Sequence, residues 1–358
     1  MTSITSLFDH PEFKGHERVL MAHDEATGLR ALIGVHNTNR GPALGGCRVW
    51  SYESDEAALT DVLRLSRGMT YKNAIANLPL GGGKTVVLVS EDRPKTPAMM
   101  QALGQAIENL NGLYITAEDV GTSTEDMTSI GSATAHVAGL SASEGGLGDP
   151  SPSTALGCFL GLKAAVKHKL GKESVDGMTV AVQGLGHVGF GLAKHLHEAG
   201  AKLIVTDINR DALDIAERDF GAKVVAPADI YGVDCDVFAP CALGAVINED
   251  TRPKLQAQVI AGAANNQLAS DADGDALHAA GVLYAPDYVI NAGGVIQIWG
   301  DYYGIDRAEI DRRVAGVGDT LAEIFTLADK QGMATAKAAD QVAEQRFQSA
   351  NAAAVAAE

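Results

Sequence analysis

The chain runs to 358 residues, 46% of them hydrophobic, with a formal net charge of −17. That length supports two domains, each with its own core, and the acidity argues against nucleic acid or an anionic membrane as a partner. No apolar run approaches the ~18 residues of a bilayer-spanning helix, and residues 1–14 lack the cationic start and apolar stretch of a signal peptide, so a cytoplasmic location is expected.

In chain order, Leu29–His36 (LRALIGVH) reads as a strand and Gly41–Arg48 (GPALGGCR) as a glycine-rich turn stiffened by Pro42. Ala58, Val62, Leu65 and Met69 fall at helical spacing across Asp55–Met69, which sets Lys72 near the end of a helix. Gly81-Gly82-Gly83-Lys84-Thr85 follows and reads as a tight turn in which glycine reaches positive φ or lets backbone approach a ligand. A phosphate-binding P-loop would need glycine where Leu78 stands, so that reading fails. A lysine confined by burial or by a second cation loses its proton more easily and becomes a usable base. Lys84 is therefore read as the chemical lysine and Lys72 as the anchor for a substrate anion, although ordinary surface lysines would also fit this stretch alone.

Thr85–Val89 reads as a strand, Met99–Leu110 as a helix, and Leu113–Thr116 as a strand running into Ala117–Thr122. The alternation implies an α/β domain. Residues 141–152 (SASEGGLGDPSP) are small and proline-containing and mark a boundary. The expected domains are 1–146 and 147–331, with a C-terminal helix, 332–358, packing back on the first.

A helix from Ser153 or Thr154 to Leu170 leads to a strand-turn-helix-strand unit: Thr179–Gln183, then Gly184-Leu185-Gly186-His187-Val188-Gly189, a helix to Glu198, and Lys202–Thr206 ending at Asp207. The G-x-G-x-x-G motif alone is weak; with both strands, the helix and the acid in register it marks a dinucleotide site. Gly184 and Gly186 make the turn and admit the pyrophosphate, Gly189 lets helix and sheet pack, and the helix start at His187 and Val188 favours phosphate charge. Asp207 would bind the adenosine ribose and repel a 2′-phosphate, so NAD is expected rather than NADP. Later strands at Asp236–Ala239, Val259–Gly262 and Val282–Tyr284 end at Cys241 and Ala242, at Asn265, and at Asp287–Gly294 with Asn291. Ligands of an open parallel sheet sit beyond such strand ends, which assigns Cys241, Ala242, Asn265 and Asn291 to the cofactor side; turn-forming asparagines remain the alternative. Ile305–Asp329 and Ala334–Ala356 read as helices. The four cysteines form no C-x-x-C pair and no histidine pair has metal spacing, so reduced thiols and no metal are expected.

These stretches together resemble the amino acid dehydrogenases of the glutamate/leucine/phenylalanine/valine family over nearly the whole chain. The resemblance rests on GPALGG (41–46), GMTYKNA (68–74), GGGKT (81–85), ITAEDVGT (115–122), VQGLGHVG (182–189), VTDIN (205–209), APCALG (239–244), GAANNQL (262–268) and YAPDYVINAGGVI (284–296). It implies an N-terminal α/β substrate domain and a Rossmann-type NAD domain with a cleft between them that closes on a hinge. The reaction implied is reversible oxidative deamination of an L-amino acid to a 2-oxo acid and ammonia. Lys72 resembles the carboxylate-binding lysine, Lys84 and Asp119 the catalytic pair, Asn265 the asparagine beside substrate and nicotinamide, and Thr154 the residue at the carboxamide. Leu44, Gly45, Ala117, Val295 and Ile298 match the apolar pocket of the leucine-specific members, which implies branched aliphatic substrates (leucine, valine, isoleucine). Phenylalanine as substrate, and a non-catalytic NAD sensor on the same scaffold, are the competing readings. Cys47, where relatives often carry threonine, and Gly83, where they carry alanine, depart from the pattern. A homo-oligomer is implied, with a dimer as the minimal unit; the shorter tail after Arg346 leaves an octamer open.

Overall fold

The computed structural model describes residues 6–140 and 146–349. The chain divides into two compact units. Among the described residues, the first holds those up to Gly148, Ile298–Ile305 and those from Ala343 on; the second holds Asp149–Gln297 and Asp306–Val342. The second unit starts at Asp149, and 141–145 of the expected linker lie outside the described residues. The return to the first unit begins at Ala343 and not at 332, and the short segment Ile298–Ile305 joins it as well. Packing explains the later return. Thr335, which opens the last helix, donates its hydroxyl to Tyr284 O of the second unit, whereas Phe347 at its far end packs on Tyr71 of the first.

The first unit is built on a five-stranded sheet in the order β1-β2-β4-β3-β5. Its strands are β1 (Arg18–Asp24), β2 (Leu29–Asn37), β3 (Ala43–Trp50), β4 (Gly81–Leu88) and β5 (Tyr114–Glu118). β1, β2 and β4 pair antiparallel, and β3 runs parallel to both β4 and β5. Alternation along the strands divides the side chains between two faces. Ile33, Val35, Ala43, Cys47 and Val49 pack against helices α2 (Pro97–Glu108) and α3 (Thr124–Gly131). Leu32 and Val86 meet Ala58, Val62 and Leu63 of α1 (Asp55–Ile75) on the other face. The Ser54 side chain caps α1 by accepting from Ala57 N, and Lys72 lies in the helix's last turn, where a cation is favoured by the carbonyl ends.

Two stretches expected to be turns are strands. Gly41–Arg48 enters β3 at Ala43, and Gly81–Gly83 opens β4. Gly41, just before β3, adopts φ 137°, whereas the glycines within the strands serve protein packing rather than positive φ. A Cβ on Gly82 would sit 2.0 Å from Thr70 N, one on Gly83 2.6 Å from the Tyr114 ring, and one on Gly45 1.7 Å from Gly83 O. Glycine in a strand marks this kind of close backbone approach.

The second unit carries a parallel six-stranded sheet in the order β11-β10-β9-β6-β7-β8. Its strands are β6 (Thr179–Gln183), β7 (Lys202–Thr206), β8 (Lys223–Val224), β9 (Val237–Pro240), β10 (Val259–Ile260) and β11 (Leu283–Tyr284). Helix α4 (Ser151–Leu170) precedes it, α5 (His187–Glu198) and α6 (Arg210–Phe220) follow β6 and β7, and α7 (Asp271–Ala279) links β10 to β11. The chain winds outward from β6 through β7 and β8, then restarts at β9 on the other side. The β6–β9 junction is thus the topological switch point, where such sheets bind ligands. The Asp287–Gly294 stretch beyond β11 forms α8 (Asp287–Ile290) and the start of α9 (Gly293–Tyr302). Helix α10 (Arg307–Gln331) follows, and α11 runs from Thr335 to Gln348, with the rest of the expected alanine-rich helix outside the described residues.

Candidate active site

Lys84 stands on the face of β4 that α1 covers, since its antiparallel partner Gly34 lies under Val62 and Ser66 of that helix. It is only 5% exposed, and its ammonium is ion-paired with Asp119 Oδ2. Asp119 follows β5 and is held from behind: its N–H donates to Thr122 Oγ1 at 2.9 Å, and the Thr122 hydroxyl lies 3.1 Å from Cys47 O. Between the two strands lies Gly46 of β3, paired with Ala117. A Cβ there would stand 2.7 Å from that of Asp119, so glycine is what lets the carboxylate lie over β3 toward the lysine. Burial lowers the Lys84 pKa to about 7, helped by the Arg48 guanidinium and by Lys72, and opposed by Cys47 and Asp61. An amine with that pKa gives up and regains a proton near neutrality. The influence of Lys72 on Lys84 also places the two cations in one electrostatic neighbourhood.

Leu44 is fully buried on β3 and Ala117 nearly so on β5. Gly45 is locked through its carbonyl, which accepts from the Tyr114 hydroxyl at 2.8 Å. Asn73, one residue after Lys72, donates to Gly81 O at 2.6 Å and Leu44 O at 3.2 Å, tying the lysine-bearing end of α1 to both strands. Ile298 belongs to the first unit and Val295 to the second.

In the second unit Gly184 adopts φ 98°, and a Cβ there would press on Ala242. A Cβ on Gly189 would meet Gly184 O at 2.0 Å, so helix α5 packs directly on the turn, whereas the space around a Cβ on Gly186 is open. No side chain caps the α5 amides at Gly186. A tight first glycine, an open second and a packed third form the cradle a dinucleotide pyrophosphate needs. Asp207 Oδ2 accepts from Leu185 N at 2.5 Å, which fixes the acid against the glycine turn. His187 and Ala242 are exposed and Val188 half-buried at the same turn. Cys241 N donates to Gln183 O at 2.7 Å, and burial pushes its thiol up to about 12, making it inert packing. The Thr154 hydroxyl donates to Pro150 O at 3.0 Å. Asn265 is exposed, and Asn291 is buried behind it with the two amides 2.7 Å apart.

The sequence matches the family described as Glu/Leu/Phe/Val dehydrogenase, dimerisation domain, over residues 12–136, and the Glutamate/Leucine/Phenylalanine/Valine dehydrogenase family over 145–213 and 205–356. The chain belongs to this dehydrogenase family. It is 51% identical to a leucine dehydrogenase of Bacillus cereus over 343 residues, 96% of this chain and 94% of the relative. A leucine dehydrogenase of Geobacillus stearothermophilus is 51% identical over 342 residues, 96% of this chain and 93% of the relative. The crystal structure of L-tryptophan dehydrogenase from Nostoc punctiforme superposes with a TM-score of 0.86 at 45% identity, covering 94% of this chain and 97% of that one. Dehydrogenases of this family use a nicotinamide dinucleotide, and the glycine cradle fits one.

Several residues that shape this dehydrogenase site escaped the sequence reading. Arg48 bonds Asp61 Oδ2 at 3.0 Å, and Tyr52 donates to the same oxygen at 2.5 Å. Period-2 alternation from Leu44 through Gly46 would have put Arg48 on the lysine face, had β3 been recognised as a strand. Gly46 and Thr122 carried no separate signal, because their roles depend on β5 lying beside β3.

Proposed function

We propose that the chain catalyses the NAD-dependent reversible oxidative deamination of branched-chain aliphatic L-amino acids, with leucine, valine and isoleucine sharing one site. The observation that carries this reading is Lys84: buried, paired with Asp119 and with a pKa of about 7. In the proposed reaction Lys72 binds the substrate carboxylate and Asp119 moves protons to and from the amino nitrogen. Gly184, Gly186, Gly189 and Asp207 would hold a nicotinamide dinucleotide, which would supply the acceptor for the hydride that leaves Cα. Water then adds to the resulting iminium carbon while neutral Lys84 takes its proton, and ammonia departs to leave the 2-oxo acid. Burial of the pair serves this exchange, since a surface lysine would be almost wholly protonated at pH 8.

Leu44, Ala117 and Ile298 of the first unit and Val295 of the second are all apolar, and none of these four is a cation that would meet a second carboxylate. A methylene more or less in such a pocket is worth ~1–3 kcal/mol, so the branched substrates should overlap. Asp207 supports NAD over NADP by repelling a 2′-phosphate. The match to a dimerisation domain supports a homo-oligomer built from dimers. The test is NADH production from a panel of amino acids with NAD and NADP, with wild type beside Lys84→Ala. The variant should lose turnover by ~1,000-fold or more while still binding dinucleotide. Turnover surviving in Lys84→Ala would remove the mechanism, and a rate with phenylalanine or tryptophan above that with leucine would reassign the substrate.

A further inference from the structure

We infer that Asn291 is a positioning residue that holds the Asn265 side chain with its NH2 group facing outward, making position 265 an obligate hydrogen-bond donor. The inference rests on the proposed deamination and concerns how one side of that site is polarised.

Asn291 caps the C-terminus of α8 and is only 4% exposed. Its Nδ2 lies 3.2 Å from Ala263 O and 2.7 Å from the Asn265 side-chain oxygen. A backbone carbonyl can only accept, so the atom of Asn291 facing Ala263 must be the amide nitrogen. That same nitrogen faces Asn265, which must therefore present its oxygen inward and its NH2 to the exposed side. Rotating the Asn291 amide would set oxygen against the Ala263 carbonyl. Its own Oδ1 is buried without a hydrogen-bond partner, a cost that protein interiors seldom carry. The orientation of Asn265, an exposed residue, is thus dictated from the interior by a chain of two hydrogen bonds that ends on the main chain.

A fixed outward NH2 selects an oxygen acceptor on the ligand. Two sources offer one: the carboxylate of the amino acid and the carboxamide oxygen of the dinucleotide. The carboxylate is the stronger acceptor because it is charged, and it is present in both the amino acid and the 2-oxo acid.

Asn291→Asp cannot donate. Asn265 then turns to give its NH2 to the new carboxylate, and its oxygen faces the ligand. KM for leucine and for its 2-oxo acid should both rise by about 10- to 100-fold, the range for a hydrogen bond to a charged group lost and reversed, while NADH binding followed by fluorescence holds. Asn291→Ala, which buries no charge, should raise the same constants by a smaller factor and keeps the test open if the aspartate variant folds poorly. The deciding measurement is the double variant. In an Asn265→Ala background the Asn291 substitutions should have no further effect on KM. A weakened NADH affinity with unchanged KM, still abolished by Asn265→Ala, would assign the donor to the carboxamide. Equal factors with and without Asn265 would overturn the inference and leave Asn291 a plain structural cap. Absence of leucine turnover in the wild type would instead fault the proposed function.

Discussion

Exchanging Arg48 for glutamine should move the acidic limb of the deamination pH profile upward. Arg48 pairs with Val86 across β3 and β4, two residues beyond Lys84 on the same face. Such diagonal neighbours have side-chain roots ~7–8 Å apart. Taking the charges at ~9 Å and an effective dielectric of ~20, their repulsion is ~1.8 kcal/mol, or ~1.3 pKa units. Arg48 is 25% exposed on its side chain, and solvent trims the effect to about 1 unit. Asp61, left without its guanidinium, pushes the same way, since it already favours the charged form of Lys84. The Lys84 pKa should therefore rise from about 7 to ~8. The neutral fraction at pH 7 then falls from about a half to about a tenth, a ~5-fold loss of kcat/KM that disappears by pH 10. Initial rates of NADH formation from leucine at saturating NAD, taken from pH 5.5 to 10.5, give the limb directly. A limb that stays put in Arg48→Gln or moves to lower pH would refute the electrostatic account. A wild-type limb near the ordinary lysine value would refute the assignment of Lys84 as the base.

Gly82→Ala should destabilise the first unit by about 3 kcal/mol or more, because the new Cβ falls 2.0 Å from Thr70 N on α1 and neither backbone can yield cheaply; thermal and urea midpoints check this, and an unchanged midpoint would mean that α1 is free to shift. The His16–His36 pair should weaken the fold as pH falls. His36 accepts from the Thr70 hydroxyl at 2.8 Å and donates to Lys14 O at 3.2 Å, and burial together with His16 lowers its pKa to about 4. The unfolded chain binds this proton below ~6.5 while the folded one does not, so stability is complete above ~6.5 and falls by up to about 3 kcal/mol as pH drops to ~4. Urea midpoints of wild type and His36→Gln at pH 4.5 and 7 should show a clearly smaller pH difference in the variant.

The second unit was the more legible in sequence, because its function is carried by local order. Strand, glycine turn, helix, strand and acid occupy one run from Thr179 to Asp207, and each piece is set by neighbours in the chain. The first unit hid more. Its glycines at 45, 46, 82 and 83 look like turn residues, yet they lie in strands because distant partners crowd them: Tyr114, Thr70 and Asp119. Sequence supplies the need for glycine without saying what fills the space. The same limit hid the roles of Arg48 and Asn291, whose partners come from other elements, and the late return of α11, whose two ends pack on different cores.

The C-terminal residues of α11 have a temporal consequence. Arg346 donates to Ile75 O at 2.6 Å, Arg40 reaches Leu78 O at 2.9 Å and Arg346 O at 3.1 Å, and Tyr71 donates to Glu344 at 2.6 Å. These bonds buttress the end of α1 that carries Lys72. On a translating ribosome, the sheet and α1 emerge long before Phe347 does. A nascent chain has both lysines in hand for most of its synthesis, yet the end of α1 that carries Lys72 stays unbraced until Glu344 and Arg346 have left the ribosome.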